Sequence, residues 1–321
     1  MTSPEPIPES GSTTHTVPWP WALRMLVRLA RGALIVYLGA LAVLYALQTR
    51  IIFPGAATQA TPEAEVHPPP GAELVRLTSA HGERIVALFG PALKPDGTPR
   101  PDAATCPTLL YFYGNGMFLK ASEYDFERLR RLGANVMIPE YLGYGMSEGH
   151  PGESACYATA DAAYDHLRSR RDLDPERIVA AGWSLGGAVA IDLAARRKVA
   201  GLAVFSTFSS MVEMARRSFP YLPTSVLLQH RFDNLAKIAR VSCPILIGHG
   251  TNDSIVPDEM SMRLASAARA PMTRFTIPGA DHNDVFEVRT ETTFARLRRF
   301  IEGCGDGRRA KESGAATPPH G

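Results

Sequence analysis

A serine, an acid and a histidine can together perform nucleophilic acyl transfer, and this chain places one of each beside an apolar run. Ser184 lies in "GWSLGG", Asp253 in "HGTNDSIVP" and His282 in "GADHND". A serine hydroxyl is a weak nucleophile until an imidazole takes its proton, and the imidazolium that results favours a fixed carboxylate beside it. The flanks of Ser184 suit such chemistry. "RIVAAG" before it is a short apolar run with β-branched residues, and "GAVAIDLAARR" after it is Ala-rich with helical spacing, which predicts strand, tight turn and helix. In such a turn the serine takes a strained backbone conformation, and the residues two before and two after it must lack side chains so that strand and helix can approach. Gly182 and Gly186 meet that demand, and the N–H of Leu185 points at whatever the serine oxygen attacks. An ordinary glycine-rich strand-to-helix connection carries the same bare pattern. A base, an acid and a second oxyanion donor therefore have to come from elsewhere in the chain.

The elements that must position these residues follow from periodicity. "ELVRLTSAHGERIVALFGP" (73–91) reads as two strands around a His81-Gly82 turn, an antiparallel hairpin. Strands then alternate with helical stretches. "TLLYFYGNG" (108–116) leads to "ASEYDFERLRRLG", "NVMIPEYLGYG" (135–145) to "CYATADAAYDHLRSRR", and "RIVAAGWS" to the Ala-rich helix. "AGLAVFS" (200–206), "PILIGHG" (244–250) and "RFTIPG" (274–279) follow, with a last helix around "ETTFARLRRFIEG". This alternation predicts an α/β domain with a mostly parallel, eight-stranded sheet and helices on both faces. Function in such sheets gathers at the carboxyl ends of the strands, where Ser184, Asp253 and His282 fall.

The chain order Ser184, Asp253, His282 is that of an α/β-hydrolase. The domain resembles the α/β-hydrolase family of serine hydrolases over roughly residues 70–303, and "GWSLGG", "HGTNDSIVP" and "GADHND" look like its Bem46-like, serine-aminopeptidase-type branch. The resemblance implies Ser184 as nucleophile, His282 as general base and then acid, and Asp253 as the carboxylate that orients His282, with Asp284 the alternative acid. It also implies an oxyanion hole made by the backbone N–H groups of Leu185 and Asn115. Relatives usually carry His-Gly-Asn where this chain has Tyr113-Gly114-Asn115, so the side chain that braces this loop is changed and the loop geometry with it. "EYLGYGMSEGHPGE" (140–153) matches a further family loop, with Leu142 where Arg or Pro is common; its glycines shape the loop, and His150 is a surface residue. His249 packs or hydrogen-bonds locally at its strand end.

Residues 207–242 occupy the usual position of a short lid and offer Phe208, Met211, Met214, Phe219, Tyr221, Leu222, Leu227 and Leu228. Some pack the lid onto the domain and the rest line an apolar acyl pocket. No His, Cys or carboxylate cluster has metal-ligand spacing and no glycine loop for phosphates follows the first strand, so no metal and no nucleotide cofactor is expected. Cys106, Cys156, Cys243 and Cys304 are widely spaced, which argues against a zinc site or a dense disulfide framework and leaves room for one disulfide if the domain is exported.

Ahead of the domain, "GALIVYLGALAVLYALQT" between Arg31 and Arg50 carries no charge and as a helix spans about 27 Å. Arg24, Arg28 and Arg31 precede it, so the positive-inside rule places the N-terminus in the cytoplasm and the catalytic domain outside. The rivals are a cleaved signal peptide, whose small-x-small candidate "ALA" (40–42) falls inside the apolar run, and a buried core helix, which would show a polar face. The expected organisation is a disordered tail over 1–18, a transmembrane anchor over 19–53, a linker over 54–72, the hydrolase domain over 73–303 and a second disordered tail over 304–321. With 34 basic against 32 acidic residues, nothing suggests a nucleic-acid partner. These features predict a membrane-anchored serine hydrolase of small or lipid-derived acyl esters or thioesters. A peptidase of the same fold and a silent membrane-tethered binding module are the alternatives.

Overall fold

The computed structural model describes residues 20–304, so the tail expected over 1–18, and all but Cys304 of the one expected over 304–321, lie outside the described residues. The chain divides into two compact units, Met1–Ala46 and Leu47–Gly321. Helix α1 (Trp21–Ile52) contributes all but its last turns to the first unit. It is long and apolar enough to cross a membrane, and no side chain in its apolar window is buried, which separates it from a core helix.

The second unit is built on one sheet. Its strands are β1 (Glu73–Thr78), β2 (Arg84–Gly90), β3 (Thr108–Phe112), β4 (Asn135–Pro139), β5 (Ile178–Trp183), β6 (Gly201–Phe205), β7 (Ile245–Gly250) and β8 (Met272–Ile277). They run in the order β1-β2-β4-β3-β5-β6-β7-β8. β1 and β2 form the antiparallel hairpin and β2 pairs antiparallel with β4, while every pair from β4 to β8 is parallel. A parallel sheet is covered on both faces, and accordingly every residue of β3, β4, β6 and β7 is buried.

The covering helices are α2 (Glu123–Arg130), α3 (Glu153–Ser169), α4 (Leu185–Arg196), α5 (Met211–Ser218), α6 (Thr224–Leu227), α7 (Asn234–Ile238), α8 (Asp258–Ala267) and α9 (Thr290–Gly303). α4 packs on β5 and β6 through the small residues of "LGGAVAIDLAAR", which let a helix lie close to a sheet. α5, α6 and α7 make up the segment expected as a lid. The four cysteines are buried.

The segment expected as a linker over 54–72 is instead packed onto the domain. Gly55, Ala64 and Val66 are buried, as is Phe53 just before them, and Ala60 N donates to Gly145 O at 2.8 Å. The Gln59 side-chain amide donates to Ser147 O at 3.1 Å and Gly149 O at 3.0 Å. Pro54 and Pro62 each open a short 3-10 turn at its first position, where the missing N–H costs nothing. At the other end Cys304, drawn into the C-terminal tail, is buried beneath Gly201 and closes the domain.

Candidate active site

The parallel strands end on one edge of the sheet, and the loops leaving β3, β5, β7 and β8 carry the expected residues there. Ser184 follows β5 with φ 54° and ψ −118°, a region that costs a residue with a Cβ on the order of 1–3 kcal/mol. The surrounding packing enforces the turn. A Cβ on Gly182 would lie 2.2 Å from Gly186 O, and one on Gly186 would lie 1.9 Å from Phe112 O. Ser184 N donates to Phe205 O at 2.9 Å, and Thr207 Oγ1 donates to Ser184 O at 2.9 Å. With its main chain held on both sides, the serine can only project its Oγ away from the sheet.

Ser184 Oγ lies 2.9 Å from His282 Nε2, and His282 Nδ1 lies 3.0 and 2.9 Å from Asp253 Oδ1 and Oδ2. All three side chains are buried or nearly so. The partners assign the tautomer: Nδ1–H donates to the carboxylate, leaving the Nε2 lone pair to accept the serine proton. Asp284 does not reach the ring; its Oδ1 accepts the Asp281 amide at 2.6 Å and shapes the loop.

Asp253 is held as a carboxylate. Burial alone would raise its pKa, but hydrogen bonds from His249, His282 and the Val256 amide outweigh burial and hold it well below the usual carboxylate range. Its Oδ1 accepts from Ile255 N at 3.1 Å and Val256 N at 2.7 Å. Behind it stands the buried His249, whose Nε2 lies 2.8 Å from Val256 O and 3.3 Å from Asp253 Oδ2. A carbonyl only accepts, so Nε2 carries the proton and also faces the carboxylate. His249 thus hydrogen-bonds locally at its strand end, one of the two roles expected from the sequence, and the i, i+4 spacing His249 to Asp253 across a strand-end turn is the signal that marks it as a support of the acid.

The His282 loop is fixed in turn. Asp281 Oδ1 accepts the amides of His282 and Ser254, both at 2.7 Å, which joins the histidine loop to the acid loop. Trp183 Nε1 donates to His282 O at 3.0 Å.

Asn115 and Leu185, the expected oxyanion pair, line the same cleft as Ser184 and His282. Leu185 opens α4, where the first amides have no intrahelical acceptor and the helix dipole favours negative charge. The Asn115 backbone N–H donates to no acceptor among the described residues. The change from His to Tyr113 does not leave the loop unbraced. Tyr113 is fully buried, its Oη donates to Glu140 Oε1 at 2.5 Å, and the same oxygen accepts Leu119 N at 2.9 Å from the far side of the loop. Neither member of this pair was visible as a partner of the other in the sequence, because 27 residues separate them.

The cleft measures about 380 Å³, and Phe208, Met211, Met214, Ile255 and Val256 supply its apolar wall. The other expected lid residues divide: Leu228 packs against the core, whereas Phe219 and Tyr221 are exposed. Among the described residues no three His, Cys, Asp or Glu side chains are grouped to hold a metal ion.

A mostly parallel sheet with a serine, a histidine and an aspartate converging at its strand ends defines a hydrolase of the α/β type. Sequence comparison agrees. Residues 146–292 match the dienelactone hydrolase family. An uncharacterized protein of Mycobacterium tuberculosis is 32% identical over 264 residues, 82% of this chain and 90% of that one. Alpha/beta hydrolase domain-containing protein 17B of Xenopus laevis is 34% identical over 234 residues, 71% of this chain and 75% of that one. The chain belongs to the α/β-hydrolase family. Solved structures share the fold at low identity: Pyrococcus furiosus esterase Pf2001 has a TM-score of 0.60 at 15% identity, covering 73% of this chain and 90% of its own. A puromycin-hydrolyzing peptidase of Mycobacterium tuberculosis has 0.58 at 20%, covering 72% and 39%.

Proposed function

We propose that this protein is a membrane-anchored serine hydrolase that cleaves acyl esters or thioesters through an acyl-enzyme. The observation that carries the reading is the continuous line from Ser184 Oγ to His282 Nε2 at 2.9 Å and from His282 Nδ1 to Asp253 at 2.9 Å. In the first step Ser184 Oγ attacks the acyl carbonyl while His282 Nε2 takes its proton, and Asp253 stabilises the imidazolium. The oxyanion forms against the amides of Leu185 and Asn115. Collapse expels the alkoxide or thiolate, which His282 protonates, and water then enters by the same base catalysis to release the acid.

The wall of Phe208, Met211, Met214, Ile255 and Val256 supports an apolar acyl group as the substrate part held there. The same lining contains no Asp or Glu, so nothing in the cleft would bind the ammonium of a peptide's amino terminus, which favours the ester or thioester over the peptidase reading. An intact site with two uncommitted amides disfavours a silent binding module. α1 supplies the anchor, and the arginines before its apolar run, Arg24, Arg28 and Arg31, support a cytoplasmic N-terminus and an extracytoplasmic domain.

Labelling of the purified full-length protein by a fluorophosphonate probe, in wild type, Ser184→Ala and His282→Ala, tests the proposal. Labelling of wild type alone is expected, followed by turnover in a chain-length series of esters and thioesters. A folded wild type that takes no label would overturn it.

A further inference from the structure

We infer that the chain leaving α1, residues 52–55, is a built part of the oxyanion site, where Ile52 and Gly55 act as positioning residues for Asn115. The inference rests on the hydrolase reading above and goes beyond it, because it places the junction of the expected anchor and linker in the catalytic machinery. All the residues concerned lie in the second unit.

A backbone donor is only as well placed as its loop. The stretch from Tyr113 to Met117 has no regular structure, and from within it a single turn bond, Met117 N to Gly114 O at 3.1 Å, holds its tip. The remaining support for Asn115 comes from outside the loop. Its side-chain amide donates to Ile52 O at 2.9 Å. Its carbonyl accepts twice, from Gly55 N at 3.1 Å and from Tyr144 Oη at 2.9 Å. Two of the three bonds that fix this residue therefore end on Ile52, the last residue of α1, and on Gly55 just beyond it, while its own N–H has no acceptor among the described residues.

The approach is too close for any other residue at position 55. A Cβ there would lie 2.3 Å from Tyr144 Cε1, 2.6 Å from Met117 O and 2.9 Å from Asn115 O. The segment is itself anchored sideways: Phe53 is fully buried, edge-on to His230 at 5.0 Å, and the Thr49 hydroxyl lies 2.9 Å from His230 Nε2. The end of α1, the lid residue His230 and the oxyanion loop thus form one connected support.

An oxyanion donor has to stand about 2.7–3.1 Å from the oxygen of the tetrahedral intermediate, and losing such a donor costs roughly 100- to 1,000-fold in kcat. Displacing it by loosening its support should cost less, about tenfold. Asn115→Ala removes the tie to Ile52 and keeps the backbone N–H, and Gly55→Ala drives the segment off the loop. The test measures hydrolysis of p-nitrophenyl hexanoate by full-length protein, with kcat expressed per site titrated by the fluorophosphonate. It also measures the Ki of an alkylboronic acid, which mimics the tetrahedral intermediate. Expected for both variants is a fall in kcat of about tenfold, a matching loss of boronate affinity and a KM within twofold of wild type. A merely structural role would lower the number of titrated sites and leave both quantities per site unchanged. If kcat per site and boronate affinity stay within twofold of wild type in Asn115→Ala, the inference is wrong, whatever the fate of Gly55→Ala. A wild type that takes no label, or a Ser184→Ala variant as active as wild type, overturns the hydrolase reading and this inference with it.

Discussion

Tyr113 and Glu140 meet at 2.5 Å beneath the oxyanion loop, the phenol donating to a carboxyl oxygen that also accepts the Leu119 amide. Both side chains are fully buried, so the pair replaces part of the solvation each has lost. Tyr113→Phe leaves the ring in place and strips one donor from a buried acid, which should cost about 1–3 kcal/mol in urea unfolding. Because the hydroxyl also receives Tyr141 N at 3.2 Å, the lost oxygen orphans a second group, and the loss should fall at the upper end of that range. A melt within 0.5 kcal/mol of wild type would show that the pair does not support the loop.

Burial raises the Glu140 pKa from 4.5 to about 7, in spite of the hydrogen bonds from Tyr113 and Leu119 that oppose the rise. Between about pH 4.5 and 7 the folded chain therefore holds a proton that the unfolded chain has released. Stability contributed by this group is complete below pH 4.5, declines as pH rises to 7 and is level above it. Glu140→Gln should remove that decline. The difference in unfolding free energy between pH 5 and pH 7.5, wild type minus variant, should be on the order of 2 kcal/mol. Asp125, raised to about 6 by burial, has the same sign but is present in both chains. Parallel pH profiles for the two proteins would refute the assignment.

The sheet and the order Ser184, Asp253, His282 are legible in the sequence because each depends on local pattern. Apolar runs of strand length alternate with helical stretches, and the special residues fall just after the runs. Gly182 and Gly186 are legible for a related reason: the Ser184 turn brings Gly186 O to where a Cβ on Gly182 would be. What escapes is contact between distant segments. Nothing local in "IIFPGAATQATPEAEV" shows that Phe53, Ala64 and Val66 are buried, since its proline-rich composition is that of a spacer and its partners lie some 60 to 180 residues away. The Tyr113 substitution reads as a loss for the same reason, because the acid that accepts its hydrogen bond lies just beyond the end of another strand, β4.

His249 supports Asp253 from behind, so its removal should act through the acid. His249→Ala leaves a buried carboxylate oxygen short of one donor and opens a space at the end of β7. Expected is a fall in kcat of about tenfold, smaller than the loss on removing a member of the triad itself. His249→Gln, whose side-chain amide can also donate, should recover part of it. Equal activity in all three proteins would assign His249 to packing alone.

The cleft wall makes the acyl preference adjustable. Met211 and Met214 line it from α5, and methionine is flexible enough to yield to chains of several lengths. Met214→Trp exchanges a yielding wall for a rigid one and shortens the space beyond Ser184. Wild type and variant should hydrolyse acetyl esters at rates within a few-fold of each other, while kcat/KM for octanoyl or longer esters falls by about tenfold or more, the size expected when a few methylenes lose their place at 1–3 kcal/mol together. The contrast between short and long substrates is the decisive readout, because damage to the Ser184, His282 and Asp253 line would slow both alike. A variant that loses acetyl and octanoyl activity in equal measure would place the acyl chain elsewhere than against α5.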